Sequence, residues 1–391
     1  SYSLRFTFPS MQPHILTDII VKSKRITFSQ VKMRMVPVAS EEVSVSAGYF
    51  NQVPEESGNS TVAFSHEEIR RAPGAAGDVN RIISSLPSVA KVSDQANNLA
   101  VRGGSAAENL FIIDNIEVPN INHFPFMGTS GGAMSMLNVD FIRDVNFYTG
   151  GFSSIYGDRL SSVMDLTYRE GNRERFNGQL SLDMSSAGAV AEGPLGKKGS
   201  WMFSARRSYL DLLTDMLDAG ASVGYTDFQG KVVYEFTPMS KITLLGIGGF
   251  DKSEVTLEDA IDQGENTFGV SKSNTHTLGL NWFLMWSDKG YSNTSLSHTY
   301  TKYDMNSYKT AGETRWLENL SSDEIWHLRN VNNYNFSHGH NMRFGFELKH
   351  IKSRYDYFKA SYTDVLGQHV AASRQDIQAD AAKYAAFAEY S

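Results

Sequence analysis

His338-Gly-His340 sets two histidines at a spacing that could grip a metal ion, and Ser105, Asp114 and His123 supply the three side-chain types of a hydrolase. Neither pattern is completed. A metal centre needs a third ligand, and on a short turn the histidine pair reads as solvated. A serine nucleophile needs the strained Gly-x-Ser-x-Gly elbow, which the chain lacks. His66, His276, His298, His327, His350 and His369 show no ligand spacing, and no phosphate-binding glycine loop precedes a helix. There is no cysteine, which excludes disulfides, thiolate zinc, iron–sulfur clusters and thiol nucleophiles. No enzyme, metal or cofactor is expected.

The positioning elements must therefore serve binding or passage. The chain has 391 residues, with 36 Lys and Arg against 43 Asp and Glu, and a net charge of −7 argues against a wholly basic nucleic-acid binder. No run of about 18 apolar residues exists, so no membrane-spanning helix is expected. Eighteen Tyr, 23 Phe and 32 Gly against 10 Pro suit an all-β chain, in water or as a membrane barrel.

Residues 1–38 hold short β-type runs, too few for a whole domain, and Pro37 to Glu42 reads as a connector. Both ends fall within strand-like sequence, so an incomplete polypeptide is expected. Residues 42–170 mix types: Val43-Ser-Val45 is strand-like, and Ser65-His-Glu-Glu68 fits a capping box. Asp78 to Leu86 reads as a helix with Val79, Ile82, Ile83 and Leu86 on one face. Strands are expected at Leu99–Arg102, Leu110–Ile113, Ile116–Val118, Phe141–Tyr148 and Ser162–Tyr168, with Asp114-Asn115 a turn. This is an α+β domain.

From residue 174 the period becomes 2. Met342, Phe344, Phe346 and Leu348 face one way, and Arg343, Glu347 and Lys349 the other. Short turns fall at Gly196–Gly199, Thr237–Ser240, Ser287–Gly290 and Ser337–His340. Long polar stretches lie at Ser208–Tyr225, Ser253–Asn274, Asn306–Asp323 and Lys359–Ala381. Tight links at one end and long links at the other suit a transmembrane barrel, whereas a soluble sandwich has no reason to sort them. The apolar set should then face lipid and the charged set the lumen. Trp201, Trp282, Trp286, Tyr291 and Tyr300 are candidates for aromatic girdles.

Asn98-Leu-Ala-Val-Arg-Gly-Gly104, Asn109-Leu-Phe-Ile-Ile-Asp-Asn-Ile-Glu-Val-Pro119 and the run from Phe141 through Gly150-Gly-Phe-Ser-Ser-Ile-Tyr-Gly-Asp-Arg-Leu160 to Thr167 resemble the plug of TonB-dependent outer-membrane receptors. Glu192-Gly-Pro-Leu-Gly196 and Ser200 to Leu210 resemble the opening barrel strands of one branch. The resemblance implies a mainly β protein in the outer membrane of a Gram-negative bacterium: a transmembrane antiparallel β-barrel, incomplete at about ten strands, with an α+β plug inside. Residues 1–38 resemble the tail of a carboxypeptidase-regulatory-like β-sandwich, 42–170 the plug, and 174–391 the first strands of the barrel. The wording around Gly150 to Asp165 is not that of the SusC-like branch, so a SusD-like lipoprotein partner is not the first expectation.

The implied function is TonB-dependent import of a scarce, bulky ligand (siderophore, haem, cobalamin, glycan or peptide), with TonB and outer-membrane lipids as partners. The alternatives are a non-importing surface receptor or secretion component of the same fold, and a soluble carbohydrate-binding module. Candidate ligand-facing residues at the plug apex are Asn97, Asn98, His123, Phe124, Phe126 and Met127; packing of Phe124 and Phe126 on the wall is the alternative reading. In the family, plug arginines pair with barrel acids. Arg102, Arg143 and Arg159 are therefore candidate anchors, with Glu192 and Glu235 as partners.

Overall fold

A strand with one apolar face cannot bury it alone, and the pairing in the computed structural model shows where each face goes. The structure describes residues 2–6, 14–19, 61–65, 68–69, 78–91, 96–183, 185–216, 220–337 and 340–391. By contacts the chain divides into Ser1–Glu55 and Glu56–Ser391. In the first, β1 (Tyr2–Phe6) and β2 (His14–Ile19) form an antiparallel pair. The expected strand at Val43–Val45, the connector at 37–42 and most of the capping-box helix lie outside the described residues.

In the second, β3 (Thr61–Ser65) precedes α1 (Val79–Ile83), whose first free amides meet the Asp78 carboxylate at Asn80 N, 2.8 Å. The strands β4 (Val89–Lys91) and β5 (Leu99–Val101) pair with each other. Then come β6 (Asn109–Ile113), β7 (Ile116–Glu117), the small pair β8 (Asn122–His123) and β9 (Met134–Ser135), β10 (Ile142–Tyr148) and β11 (Ser162–Tyr168). A five-stranded sheet runs β3-β10-β11-β6-β7. Asp114 and Asn115 both take positive φ, as the two-residue turn between β6 and β7 requires. Ile83, Ile113, Ile116, Phe141, Val145, Met164 and Leu166 close into its apolar core.

A second, eleven-stranded sheet follows, here called the wall. It comprises β12 (Asn177–Leu182), β13 (Ser186–Pro194), β14 (Gly199–Ser208), β15 (Ser222–Thr237), β16 (Ser240–Val255), β17 (Thr267–Ser287), β18 (Gly290–Lys309), β19 (Arg315–Asn319), β20 (Ser322–Ser337), β21 (His340–Lys359) and β24 (Ser373–Tyr390). The helices α2 (Leu210–Met216) and α3 (Leu257–Asp262), and the small pair β22 (Tyr362–Thr363) and β23 (His369–Val370), sit in the links opposite the short turns.

Three of the four short turns fall where the sequence places them; at the fourth, Ser337 pairs with His340, and 338–339, with the expected solvated His338, lie outside the described residues. The long links are shorter than expected, because strands run on into the polar stretches: β17 has 21 residues and β18 has 20, against the ~9–11 that cross a membrane. Beyond the apolar band both faces of a strand meet water, so the alternation fades while backbone pairing continues.

From β15 to β24 the register keeps one parity. Even-numbered Phe228, Leu244, Leu278, Leu280, Leu296, Phe344, Phe346 and Leu348 stand exposed on the outer face, and odd-numbered Asp227, Thr277, Ser297, Arg329, Glu347 and Lys349 are buried inward. Trp286 stacks on Tyr334 at 5.4 Å beside the turns, as a girdle should. Tyr291 has the inward parity and packs on Phe283 at 5.4 Å, so it leaves the expected girdle.

Candidate functional site

The wall's inward face has few large apolar residues, so what it offers the inner segment is mostly polar. Its strands lay side chains on that segment in turn. Gln179 of β12 donates to Asp140 at 3.0 Å, and Glu192 of β13 pairs with Arg169, just past β11. Arg206 of β14 donates to the Ser135 carbonyl at 3.2 Å, and Gln229 of β15 to that of Met136 at 2.5 Å. Lys231 meets Asp114 at 2.8 Å and the Tyr168 carbonyl at 2.6 Å. Asn281 of β17 and Ser295 of β18 hold Asn115. Arg329 of β20 donates to the Ile155 carbonyl at 2.7 Å, Lys349 of β21 meets Glu117 at 2.7 Å and Asp158 at 3.3 Å, and Glu389 of β24 accepts from Ser154 N at 2.9 Å.

Two contacts are deeply buried. In one, His123 is wholly inaccessible, with Nε2 3.0 Å from Asp227 and Nδ1 2.6 Å from Asp251. Burial alone would depress the imidazole pKa; hydrogen bonds to Asp227 and Asp251, and their charges, hold it above its ordinary 6.5. In the other, Glu117 faces Lys349, with His327 at 3.4 Å and Arg159 at 4.0 Å. Burial would raise the Glu117 pKa, but the charges of Lys349 and His327 keep it below its ordinary 4.5.

His123 was expected at a ligand-facing apex; its ring instead lies in the contact with the wall. Asn97 is also buried, donating to Asp78 at 2.7 Å. Asn98 and Phe124 are half-buried. Phe126 is 41 % exposed at the tip of the 124–131 loop, and Met127 touches Asn319 of β19, at the end of the wall opposite the short turns.

The expected partners of Arg102 need correction. Glu192 is engaged by Arg169 and Asn177, and Glu235 by Arg173 at 2.6 Å. Residues 169–173 connect β11 to the wall, so chain continuity delivers those arginines to the first strands. Arg102 instead occupies an exposed turn with φ +48°, beside Gly150. Arg143 pairs with its neighbour Asp144 at 2.6 Å, and Arg159 donates to the Asn109 carbonyl at 3.2 Å within the inner segment.

Sequence reading missed Asp227, Asp251, Lys231 and Arg329. Their available signal was charge at the inward parity of otherwise small or apolar strands. Among the described residues no group of three or more His, Asp or Glu is arranged to hold a metal ion, and no helix is long and apolar enough to cross a membrane.

Residues 53–162 match the family of TonB-dependent receptor plug domains. Over 184 residues the chain is 26% identical to the TonB-dependent transporter Oar of Myxococcus xanthus, covering 46% of this chain and 16% of that protein. Among solved structures, the ferripyoverdine receptor of the Pseudomonas aeruginosa outer membrane superposes with a TM-score of 0.60 at 12% identity, over 85% of this chain and 49% of the receptor. The copper transporter OprC gives 0.60 at 13%, over 84% and 51%. The chain thus spans about half the length of those solved proteins, and far less of Oar.

Proposed function

We propose that the chain is the plug and part of the barrel wall of a TonB-dependent outer-membrane receptor, and that the whole protein takes up a scarce, bulky ligand across the outer membrane. TonB would supply the force. The ligand belongs to the range of siderophores, haem, cobalamin, glycans and peptides. The two solved receptors are named for ferripyoverdine and copper, which keeps a metal chelate within that range.

One observation carries the reading: beside a small apolar contact, where Val190, Met202, Leu245 and Ile247 of the wall join the plug's core, the plug meets the wall through a long series of hydrogen bonds and ion pairs. A polar contact can be exchanged for water when the plug is pulled, so that only the small apolar part of the seam would lose its burial. We read residues 1–38, 42–170 and 174–391 as the leading-domain tail, plug and wall. Phe126 and Met127, with Phe124 and Asn98 beside them, are the proposed ligand contacts, since they lie on or next to the loop that reaches the long-link end. Arg169 and Arg173, through Glu192 and Glu235, anchor the plug's exit.

Uptake of labelled ferric siderophores, haem, cobalamin, oligosaccharides and peptides by cells making the full-length protein, with and without TonB, tests this. Uptake that vanishes without TonB supports import. Binding of a ligand with no uptake in either strain favours the non-importing receptor.

A further inference from the structure

The two carboxylates around His123 are acceptors only, and one faces each ring nitrogen. A neutral imidazole carries a single N–H, so one contact would set lone pair against lone pair. An imidazolium donates at both. Arg206 lies 2.7 Å from Asp227, so the cluster then holds two cations against two anions.

The surroundings fit that balance. The Tyr225 ring of β15 lies 4.2 Å from the imidazole, tilted 34° to it, and Ser273 of β17 donates to Asp251 at 2.7 Å. On the plug side Asp78 is occupied by Asn97 and the Ser135 amide. The wall makes room with Gly249, where an added Cβ would sit 3.3 Å from the ring. The next residue, Phe124, has φ +50° and donates its amide to the same Asp251 at 2.9 Å. That backbone is unfavourable for a bulky side chain and persists only where neighbours hold it.

We propose that His123 is an imidazolium pin that fixes the root of the 124–131 loop to the wall, so that one proton sets the position of Phe126 and Met127. The ligand-facing role of that loop rests on the proposed receptor function; the pin does not. His123 is a positioning residue. Losing its proton leaves Asp227 and Asp251 facing a ring that can satisfy only one of them, and frees Phe124 to relax.

The test uses the intact receptor in detergent, with a nitroxide on Phe126→Cys as the only labelled thiol. Residues 1–391 hold no native cysteine. The label should be ordered at acid and neutral pH and become mobile in one alkaline transition. His123→Gln should give a mobile label with no transition. Asp227→Asn should move the transition down by about 1–3 pH units, because one stabilising anion is gone. Nitrogen-15 spectra of histidine-labelled receptor should show both His123 nitrogens protonated at neutral pH, a readout that needs no variant to fold. A neutral His123 in those spectra, or a label equally ordered in His123→Gln, would overturn the pin. Absence of uptake alongside a clear transition would count against import only.

Discussion

The plug and the wall are both β-structure, yet they invert each other's chemistry. The plug hides Ile113, Phe141, Val145 and Met164 inside and shows mostly polar groups to its neighbour, with Ile116 lying against Gly279 of the wall. The wall buries Ser200, Thr275, Thr277, Ser297 and its charged residues inward, and leaves Phe228, Leu280, Phe346 and Leu348 exposed on its outer face. The plug is stabilised by taking its own apolar surface from water; the wall needs lipid to do so. Their seam is mostly polar, with Val190, Met202, Leu245 and Ile247 of the wall as its apolar part.

The contrast breaks most visibly at the plug core. Phe141→Ala empties a site packed edge-on against Tyr168 at 5.6 Å and should cost about 3–5 kcal/mol. Hydrogen exchange in the intact receptor should show lost protection across β6, β10 and β11, with the wall strands unchanged.

On the outer face, Phe346→Arg should cost about 2–4 kcal/mol if that site lies near the bilayer midplane. Folding yield into vesicles reads this effect. Normal yield would mean that the outward parity does not face lipid.

The smallest effect sharpens the seam. The raised His123 pKa contributes stability in full below its ordinary 6.5, and that contribution is lost as pH rises through the higher folded value. The lowered Glu117 pKa contributes above its ordinary 4.5, and is lost as pH falls through the lower folded value. Exchange should therefore quicken around residues 122–124 on the alkaline side and around 115–117 on the acid side. Loosening of both on the same side would refute the assignment.

Period-2 patterning and turn chemistry made the strands legible. Gly196–Gly199, Asp114-Asn115 and the alternation over 342–349 each fold as their residue types dictate. Strand ends were less legible, since Ser253 to Val255 pair with Gly269 to Ser271 without an apolar face to announce it. The partners across the seam were hidden for a different reason. His123 meets Asp227 and Asp251 only because plug and wall register bring together positions more than a hundred residues apart. Arg102 carries a family signature, but the residues that reach Glu192 and Glu235 are those tethered nearby.

The central claim, that the plug leaves the wall when TonB pulls, is tested most directly at Met136. Its side chain is buried, 1% exposed, at the seam beside Gly249, and its carbonyl accepts from Gln229. In cells making the full-length protein and given the ligand that the uptake assay identifies, Met136→Cys should react with a membrane-impermeant maleimide only when TonB is present and the inner membrane is energised. Equal labelling with and without TonB would contradict the account.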